Sequence, residues 1–309
     1  LGAATSDAES NLGSMVSSVS DDRQKFSYVQ ACTLISTQPA YFKQFRRIPG
    51  YIEVVEPTDA WVAEAYLTYL VRNQSWMVQN ESAFRQMTQM DLYGDPYLHQ
   101  FVIDGGPPFQ ASALALRFAA FIGKVSQHVF THRGDEAIST VLEIGGGFGG
   151  FAVAATRIFG FRSYTIVDLA EALAVQGKFV ARFPSVASKI NYIDGKSLTR
   201  EPENEQTYDL CVSTYAFSEL ALPFRQLYFD RYISKCKFGF FTDNGNCFDQ
   251  YRTAQLHFGA PALAERLNRM GRVETQVVDE VPSTTGGLSC RTFELYFWPK
   301  SSSKRNTQR

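Results

Sequence analysis

The chain lacks an excess of charge of either sign: 30 Lys and Arg residues stand against 31 Asp and Glu residues, for a formal net charge of −1 over 309 residues. This balance creates no global field that would attract nucleic acid or an anionic membrane, so we expect no nucleic-acid partner. With 45% hydrophobic and 20% charged residues, the chain can bury a sizeable core. Disorder or a fibrous repeat is therefore excluded as the dominant state.

Cysteine is also scarce, and the five cysteines form no C-x-x-C pair; they are Cys32, Cys211, Cys236, Cys247 and Cys290. We expect reduced, mostly buried thiols, because a chain of this length needs no disulfide framework. An odd count without such a framework favours a reducing compartment, and we expect a cytoplasmic location.

No apolar run is long and uncharged enough to predict a membrane span. The longest one, 111–130, carries Arg117, Lys124 and His128. Its apolar residues recur with helical periodicity, so it predicts a buried or interfacial helix.

Composition divides the rest of the chain into four segments. Residues 1–24 are rich in Ser, Ala and Asp and predict a disordered lead, and residues 300–309 predict a basic polar tail. Residues 25–135 predict a mainly helical N-terminal region, with helices over 58–76 and 111–131. The Gly- and Pro-rich segment between those two helices is predicted to be turn and loop.

In the fourth segment, 136–299, short apolar runs alternate with helical segments. The runs that predict strands are 141–144, 164–168, 190–194, 208–213, 238–243, 273–278 and 292–298. Strands alternating with helices predict an α/β fold with a doubly wound, mainly parallel sheet. Too few residues separate the last two runs for a crossover helix, so these runs predict an antiparallel hairpin. The result is a Rossmann-like sheet of seven strands.

The sharpest motif is VLEIGGGFGGFAVA at 141–154. A buried strand leads into a glycine loop, and a helix begins near Gly150, where backbone N–H groups and the positive end of the helix dipole converge. Gly145, Gly147 and Gly150 satisfy the G-x-G-x-x-G dinucleotide pattern. Gly145, Gly147 and Gly149, behind an acidic residue, satisfy the E-x-G-x-G-x-G pattern of S-adenosylmethionine enzymes. The loop alone leaves both ligands open.

Two carboxylates bear on this choice. Glu143 lies at the carboxyl end of the first strand of the sheet, where it can serve a cationic ligand and would repel a pyrophosphate. Asp168 ends the next strand, where a carboxylate can accept both ribose hydroxyls of either cofactor. Glu143 therefore favours S-adenosyl-L-methionine, and an NAD(P)-dependent Rossmann oxidoreductase is the alternative.

Several stretches of the chain resemble a known family. Residues 137–298 resemble a class I S-adenosylmethionine-dependent methyltransferase. More narrowly, DLYGDP (91–96), SALALRF (112–118), the glycine motif, YTIVDL and YDLCVSTYAFSEL (208–220) resemble the bacterial sugar O-methyltransferase family. The resemblance implies a seven-stranded methyltransferase sheet whose last strand is antiparallel, and methyl transfer to a hydroxyl of a sugar or sugar-containing metabolite. O-Methylation of a non-sugar small molecule, or a binding protein that has lost activity, remain alternatives.

The resemblance also implies roles for residues at the motif positions. The residues expected to bind the cofactor are Glu143, Gly145, Gly147, Gly149, Asp168, Leu169, Asp194, Gly195 and Ser213. Because a sugar hydroxyl is a poor nucleophile at neutral pH, a positioned base is expected; Glu219 is the first candidate and His257 the second. Asp243 and Asn244 would hold the sugar's hydroxyls. These two residues and Asp249 are close enough in sequence to suggest a divalent ion, but we assign no metal.

The N-terminal region would supply an acceptor pocket, a lid or a dimer interface. Trp61, Trp76, Tyr93 and Tyr97 offer flat apolar faces suited to sugar rings, or they pack the helices together and build a homodimer interface. We expect a small-molecule or glycan acceptor as the partner.

Overall fold

The computed structural model describes the greater part of the chain. The described residues are 26–103, 105–132, 137–199, 206–244, 256–283 and 292–300. The predicted lead, nearly all of the predicted basic tail and Asp249 lie outside these residues. In the described part of the chain, no helix combines the length and the apolar character that a bilayer crossing needs.

The described strands build one small and one large sheet. The strands are β1 Leu98–Phe101, β2 Phe109–Ser112, β3 Thr140–Ile144, β4 Ser163–Asp168, β5 Ile190–Asp194, β6 Tyr208–Thr214, β7 Cys236–Asp243, β8 Val273–Asp279 and β9 Phe293–Pro299. The large sheet has seven strands in the order β5-β4-β3-β6-β7-β9-β8. β3 pairs in parallel with β4 and β6, and β6 with β7. β9 runs antiparallel to both of its neighbours, which confirms the predicted fold class.

Helices occupy the intervals between these strands and most of the N-terminal region. The described α-helices are Tyr28–Thr37, Pro39–Lys43, Ile52–Val55, Ala60–Asn73, Ser75–Gln79, Glu81–Met87, Ala113–His132, Gly150–Phe159, Ala170–Val180, Pro184–Ala187, Leu222–Arg231 and Ala260–Arg269. The described 3-10 turns are Phe45–Arg47, Gln89–Leu92, Ser197–Thr199, Ala216–Glu219 and Ile233–Lys235. The mainly helical character of the N-terminal region is thus confirmed.

One segment predicted to be loop contains a hairpin. β1 pairs antiparallel with β2, from Leu98 opposite Ser112 to Phe101 opposite Phe109. The Phe101 and Phe109 rings lie 5.6 Å apart, and such a cross-strand aromatic pair stabilises a short hairpin. The glycines and prolines that predicted loop lie outside the two strands: Gly94 and Pro96 precede β1, and residues 105–108 belong to the connection between β1 and β2.

The chain groups into two compact units. Among the described residues, the first unit comprises those up to Gly123 together with Gly146–Ile158 and Asp168–Lys196; the second comprises those of Lys124–Gly145, Phe159–Val167 and those from Ser197 onward. The core of the second unit is formed by strand residues that are completely buried, among them Leu142, Ile166, Leu210, Phe240 and Leu295. The predicted division at 135/136 into an N-terminal region and a cofactor-binding core stays a prediction.

The expectation of reduced cysteines is wrong for one pair. The structure joins Cys211 on β6 to Cys236 at the start of β7 in a disulfide. Adjacency of these two strands in the sheet brings the cysteines together, which their separation of 25 residues in sequence does not reveal. Cys32 is a free, buried thiol, as expected. Cys247 and Cys290 lie outside the described residues.

Candidate functional site

The glycine loop follows β3 and enters the helix Gly150–Phe159 directly. Gly145, Gly147 and Gly149 have φ angles of 76°, 54° and 90°, a left-handed region that glycine adopts without the steric cost of a side chain. The loop is also closely packed: a Cβ on Gly149 would lie 2.7 Å from Val180 Cγ2. Both its conformation and its packing therefore require glycine, and the predicted loop is present.

Asp168, at the end of β4, holds the glycine loop. Its Oδ2 accepts a hydrogen bond from the backbone N–H of Gly146 at 3.0 Å, and its Oδ1 accepts one from the N–H of Leu169 at 2.8 Å. The N–H of Gly195 donates to the backbone carbonyl of Asp168 at 2.8 Å. Burial raises the pKa of the Asp168 carboxyl to about 6, although its hydrogen bonds act in the opposite direction. The structure thus brings Asp168, Leu169 and Gly195 together beside the loop.

Gln176 is a residue of this site that sequence reasoning missed. Its Nε2 donates to Asp168 Oδ2 at 2.7 Å and to the carbonyl of Gly147 at 3.0 Å. The side chain is fully buried on the helix Ala170–Val180. A glutamine on the buried face of an amphipathic helix is the signal that could have identified it, because buried polar groups need partners.

Asp194 forms a local turn at the end of β5. Its Oδ1 accepts a hydrogen bond from the N–H of Lys196 at 3.0 Å, an arrangement typical of an Asx turn. The side chain is half-buried. The expected position beside an adenine ring stays a prediction.

Glu143 lies almost completely buried on β3. Its Oε2 accepts a hydrogen bond from the hydroxyl of Tyr164 at 2.9 Å, and Tyr164 lies on the adjacent strand β4. Burial and the neighbouring carboxylate raise the pKa of Tyr164, so the tyrosine stays a donor. A buried carboxylate requires such compensation, and the sequence carried no signal for this partner.

Ser213 connects the ends of β3 and β6. Its Oγ donates to the carbonyl of Ile144 at 2.9 Å and accepts from the N–H of Phe217 at 3.0 Å. The side chain is completely buried. Its hydroxyl therefore stabilises the turn after β6, and its place along a cofactor cleft stays a prediction.

A chain of side-chain hydrogen bonds links the residues that follow β6 and β7. Glu219 Oε1 accepts from Asn244 Nδ2 at 3.0 Å, and Asn244 Oδ1 accepts from Ser218 Oγ at 2.6 Å. Burial raises the pKa of the Glu219 carboxyl, although the hydrogen bond from Asn244 and the charge of Arg225 act in the opposite direction. The structure thus brings together the first predicted base and one of the two predicted substrate ligands.

The other two predicted residues of this region are placed differently. Asp243 Oδ2 accepts a hydrogen bond from the N–H of Ala260 at 2.6 Å, at the start of the helix Ala260–Arg269. His257 is exposed, and among the described contacts none joins it to Glu219. The catalytic role of His257 and the substrate role of Asp243 stay predictions.

Tyr215, immediately after β6, has a strained backbone. Its φ of 71° is rare for a residue with a bulky side chain and marks a position that its surroundings must hold in place. The N–H donates to Thr242 Oγ1 at 2.8 Å, the carbonyl accepts from the N–H of Ser218 at 2.9 Å, and the hydroxyl donates to Glu280. No sequence pattern indicated this conformation.

The predicted sugar-facing aromatic residues fall into two groups. Trp61, Trp76 and Tyr97 are exposed, and the Arg47 guanidinium lies 4.1 Å from the centre of the Tyr97 ring. Tyr93 packs edge-on against Phe183 at 5.5 Å. Tyr93 thus packs within the first unit, Tyr97 is partly covered by Arg47, and Trp61 and Trp76 present accessible faces.

Metal ligands are not clustered in the described part of the chain, where no group of three or more His, Cys, Asp and Glu side chains could hold an ion.

Among known proteins, the chain is similar to solved structures, but not to a family model or a curated protein. An S-adenosylmethionine-dependent methyltransferase from Aquifex aeolicus is 18% identical, with a TM-score of 0.38, over 56% of this chain and 88% of that one. The N-methyltransferase NodS from Bradyrhizobium japonicum WM9 is 16% identical, with a TM-score of 0.40, over 59% and 94%.

A third structure is geranyl diphosphate C-methyltransferase from Streptomyces coelicolor A3(2), solved with Mg²⁺, geranyl diphosphate and S-adenosyl-L-homocysteine. It is 16% identical, with a TM-score of 0.39, over 56% of this chain and 77% of that one. The strand order of the seven-stranded sheet, rather than these low scores, identifies the fold as that of class I methyltransferases.

Proposed function

We propose that the chain is an S-adenosyl-L-methionine-dependent O-methyltransferase acting on a hydroxyl of a sugar or sugar-containing metabolite. The observation that carries the proposal is the Asp168 carboxylate hydrogen-bonded to Gly146 within a glycine loop of left-handed residues. A loop without side chains lets a ligand approach the main chain, and an acid beside it can accept from a vicinal diol.

The residues present fit this cofactor better than a dinucleotide. Glu143 is a carboxylate at the exit of β3, held by Tyr164, and it suits a cationic sulfonium but repels a pyrophosphate. When bound, S-adenosylmethionine supplies an activated methyl group, so transfer is an in-line displacement that needs alignment more than covalent help. Asp168 would hold the ribose, and the main chain of the glycine loop would border the methionine portion.

Glu219 is the proposed base for the acceptor hydroxyl. Asn244 holds its Oε1, so the carboxylate is oriented and Oε2 is the atom proposed to take the proton. Its raised pKa makes it a stronger base than an exposed glutamate. Asn244 and Asp243 are proposed to bind the hydroxyls of the sugar.

The sugar assignment is supported by the resemblance of the N-terminal segments and of the segment that contains Glu219. The exposed rings of Trp61 and Trp76 could stack on a sugar face. Homodimer formation through the N-terminal aromatic residues and the absence of a nucleic-acid partner, which rests on the charge balance, are further proposals. A cytoplasmic location is also proposed, although the Cys211–Cys236 disulfide removes the support that reduced cysteines would have given it.

Calorimetry of the purified chain with S-adenosylhomocysteine, and in parallel with NAD and NADP, tests the cofactor. We expect micromolar binding of S-adenosylhomocysteine alone; binding of a pyridine nucleotide instead would establish the oxidoreductase alternative.

Label transfer from methyl-labelled S-adenosylmethionine to methyl glycosides of hexoses and deoxyhexoses, with simple phenols in a parallel arm, tests the acceptor. We expect Glu219→Gln to abolish transfer to the sugars and to leave S-adenosylhomocysteine binding unchanged. Transfer to the phenols alone would exclude the sugar assignment.

A further inference from the structure

Two fully buried side chains on the elements that pack against the glycine loop each leave one polar atom without a hydrogen-bond partner. The atoms are the hydroxyl oxygen of Tyr51 and Oε1 of Gln176, and both residues have no exposed surface. A buried polar atom without a partner loses the hydrogen bonds that water would provide. A bound ligand can supply the hydrogen bonds that these atoms lack.

The orientation of Gln176 is unambiguous. Its Nε2 faces two oxygen atoms, Asp168 Oδ2 at 2.7 Å and the carbonyl oxygen of Gly147 at 3.0 Å. Because only the amide nitrogen can donate to these acceptors, Oε1 must lie on the other side of the amide group. Gln176 Oε1 is therefore an acceptor without a partner on a side chain that is fixed between Asp168 and Gly147.

Tyr51 belongs to the segment 26–56, which packs on the glycine loop. The ring of Phe45 lies 5.8 Å from that of Tyr51 and 5.3 Å from that of Phe148 in the loop. Val55 Cγ1 lies 3.3 Å from the position that a Cβ on Gly147 would take. This segment therefore covers the loop at the residue whose carbonyl Gln176 holds.

The Tyr51 hydroxyl lies within electrostatic range of the Asp168 carboxyl, as the Tyr28 hydroxyl does. Burial raises the pKa of this hydroxyl, and the neighbouring Cys32 and Asp168 raise it further. A neutral phenol donates one hydrogen bond and does not repel Asp168. The segment that packs on the loop thus contains a buried hydrogen-bond donor, and the loop side contains a buried acceptor.

We propose that Tyr51 and Gln176 bind the ribose of the nucleoside together with Asp168, Tyr51 as a donor and Gln176 Oε1 as an acceptor. The inference rests on the proposed function and deepens it. Each hydroxyl of a vicinal diol both donates and accepts, so it can satisfy an unused phenol and an unused amide oxygen that cannot reach water. Since both side chains are covered, the segment 26–56 must separate from the loop to admit the nucleoside and then close over it.

Calorimetry with S-adenosylhomocysteine and its 2′-deoxy and 3′-deoxy analogues tests the inference. We expect Tyr51→Phe to weaken S-adenosylhomocysteine binding about tenfold, the worth of one hydrogen bond. For the analogue that lacks the ribose hydroxyl contacted by Tyr51, we expect Tyr51→Phe to weaken binding much less. The matched control is Tyr28→Phe, because the Tyr28 ring stacks on Tyr51 at 5.6 Å and its hydroxyl pairs with Cys32; it should change affinity less than twofold.

Gln176→Leu should weaken S-adenosylhomocysteine binding more than tenfold, since it removes both the acceptor and the tie to Asp168. Its control is Gln74→Leu, which removes another fully buried glutamine whose Oε1 has no partner and whose Nε2 donates to the carbonyl of Ala120. That variant should bind S-adenosylhomocysteine as the wild type does.

Thermal unfolding separates a binding role from a structural one. Without ligand, Tyr51→Phe should unfold at the same or a higher temperature, because it removes an unpaired buried hydroxyl. The rise in melting temperature caused by S-adenosylhomocysteine should be smaller than in the wild type. If the wild type binds S-adenosylhomocysteine, and Tyr51→Phe binds this ligand and both deoxy analogues as tightly as the wild type does, this inference alone is overturned. Failure of the wild type to bind would overturn the proposed function as well.

Discussion

The hydroxyl of Tyr215 donates a hydrogen bond to the carboxylate of Glu280, and so joins the turn after β6 to the residue that follows β8. Both residues are buried. Because β9 runs antiparallel to β7 and to β8, β6 and β8 end at the same edge of the sheet. The strained backbone of Tyr215 is thus held from both its main chain and its side chain.

We predict that Tyr215→Phe lowers the free energy of unfolding by about 1–3 kcal/mol, because it removes a hydrogen bond to a buried charged group. Urea unfolding measures the change. The control is Tyr192→Phe, at a ring that is 38% exposed, with an expected change within about 0.5 kcal/mol. Equal effects of the two substitutions would show that the contact with Glu280 does not stabilise the fold.

The raised pKa of Asp168 predicts a pH dependence of stability. The carboxyl has a pKa of about 6 in the folded protein against a usual value of 3.8, so the folded state binds more protons than the unfolded state between these values. Stability from this group is therefore present below about pH 4 and is lost as the pH rises through about 6. Urea unfolding at a series of pH values should show this loss, and Asp168→Asn should remove that component of it.

The same group predicts the opposite pH dependence for ligand binding. A carboxylate accepts from both ribose hydroxyls only when it is ionised. We therefore expect S-adenosylhomocysteine to bind more tightly as the pH rises through about 6, and Asp168→Ala to weaken binding by about 1–3 kcal/mol at pH 7.5. Calorimetry in matched buffers measures both, and an affinity that Asp168→Ala leaves intact would remove Asp168 from the ribose site.

Two glycines with similar backbone conformations allow the packing of the glycine loop to be tested. Gly145 has φ of 76° and a Cβ there would collide with Cβ of Ala216, whereas Gly160 has φ of 56° and open space around it. Gly160→Ala should lower the free energy of unfolding by about 1–2 kcal/mol, because alanine is strained in the left-handed conformation. Gly145→Ala should lower the free energy of unfolding by about 1–3 kcal/mol more than this, because the new Cβ also overlaps with Ala216. Chemical denaturation measures the free energy of unfolding of both variants. Equal losses would show that Ala216 moves aside without an energetic penalty.

Adjacent arginines provide a further matched comparison. Arg46 is completely buried; its guanidinium donates to Glu56 Oε2 at 2.6 Å and to Asp91 Oδ1 at 2.7 Å. Arg47 pairs with Asp95 at 2.7 Å on the surface. Arg46→Met should destabilise by about 3–5 kcal/mol, because it leaves buried carboxylates uncompensated.

The corresponding surface change, Arg47→Met, should cost at most about 1 kcal/mol. Differential scanning calorimetry with denaturant titration resolves a gap of this size. A loss at Arg46 no larger than that at Arg47 would show that Glu56 and Asp91 are neutralised in another way.

The structure also shows where pattern reasoning reached its limit. Alternating apolar runs predicted all seven strands of the large sheet, but glycine and proline content masked the β1–β2 hairpin, whose stability depends on the pairing of Phe101 with Phe109. Glu219 and Asn244 were both identified from their places after strands. Their hydrogen bond depends on the adjacency of β6 and β7.

Apart from Gln176, the residues that were missed are those whose role depends on a partner far away in the chain. Tyr164 contacts Glu143 because β4 lies in parallel register beside β3. Tyr51 packs on Phe45, which contacts Phe148 of the glycine loop, because the segment 26–56 folds back on that loop. No spacing in the sequence encodes either contact.

Local sequence by itself determined the positions of the seven strands of the large sheet and of the glycine loop, because strand periodicity and the steric freedom of glycine act over a few residues. Tertiary structure alone decided which polar atoms are paired and which are left without a partner. Hydrogen bonds act only over short distances, so strand register and side-chain packing select their partners.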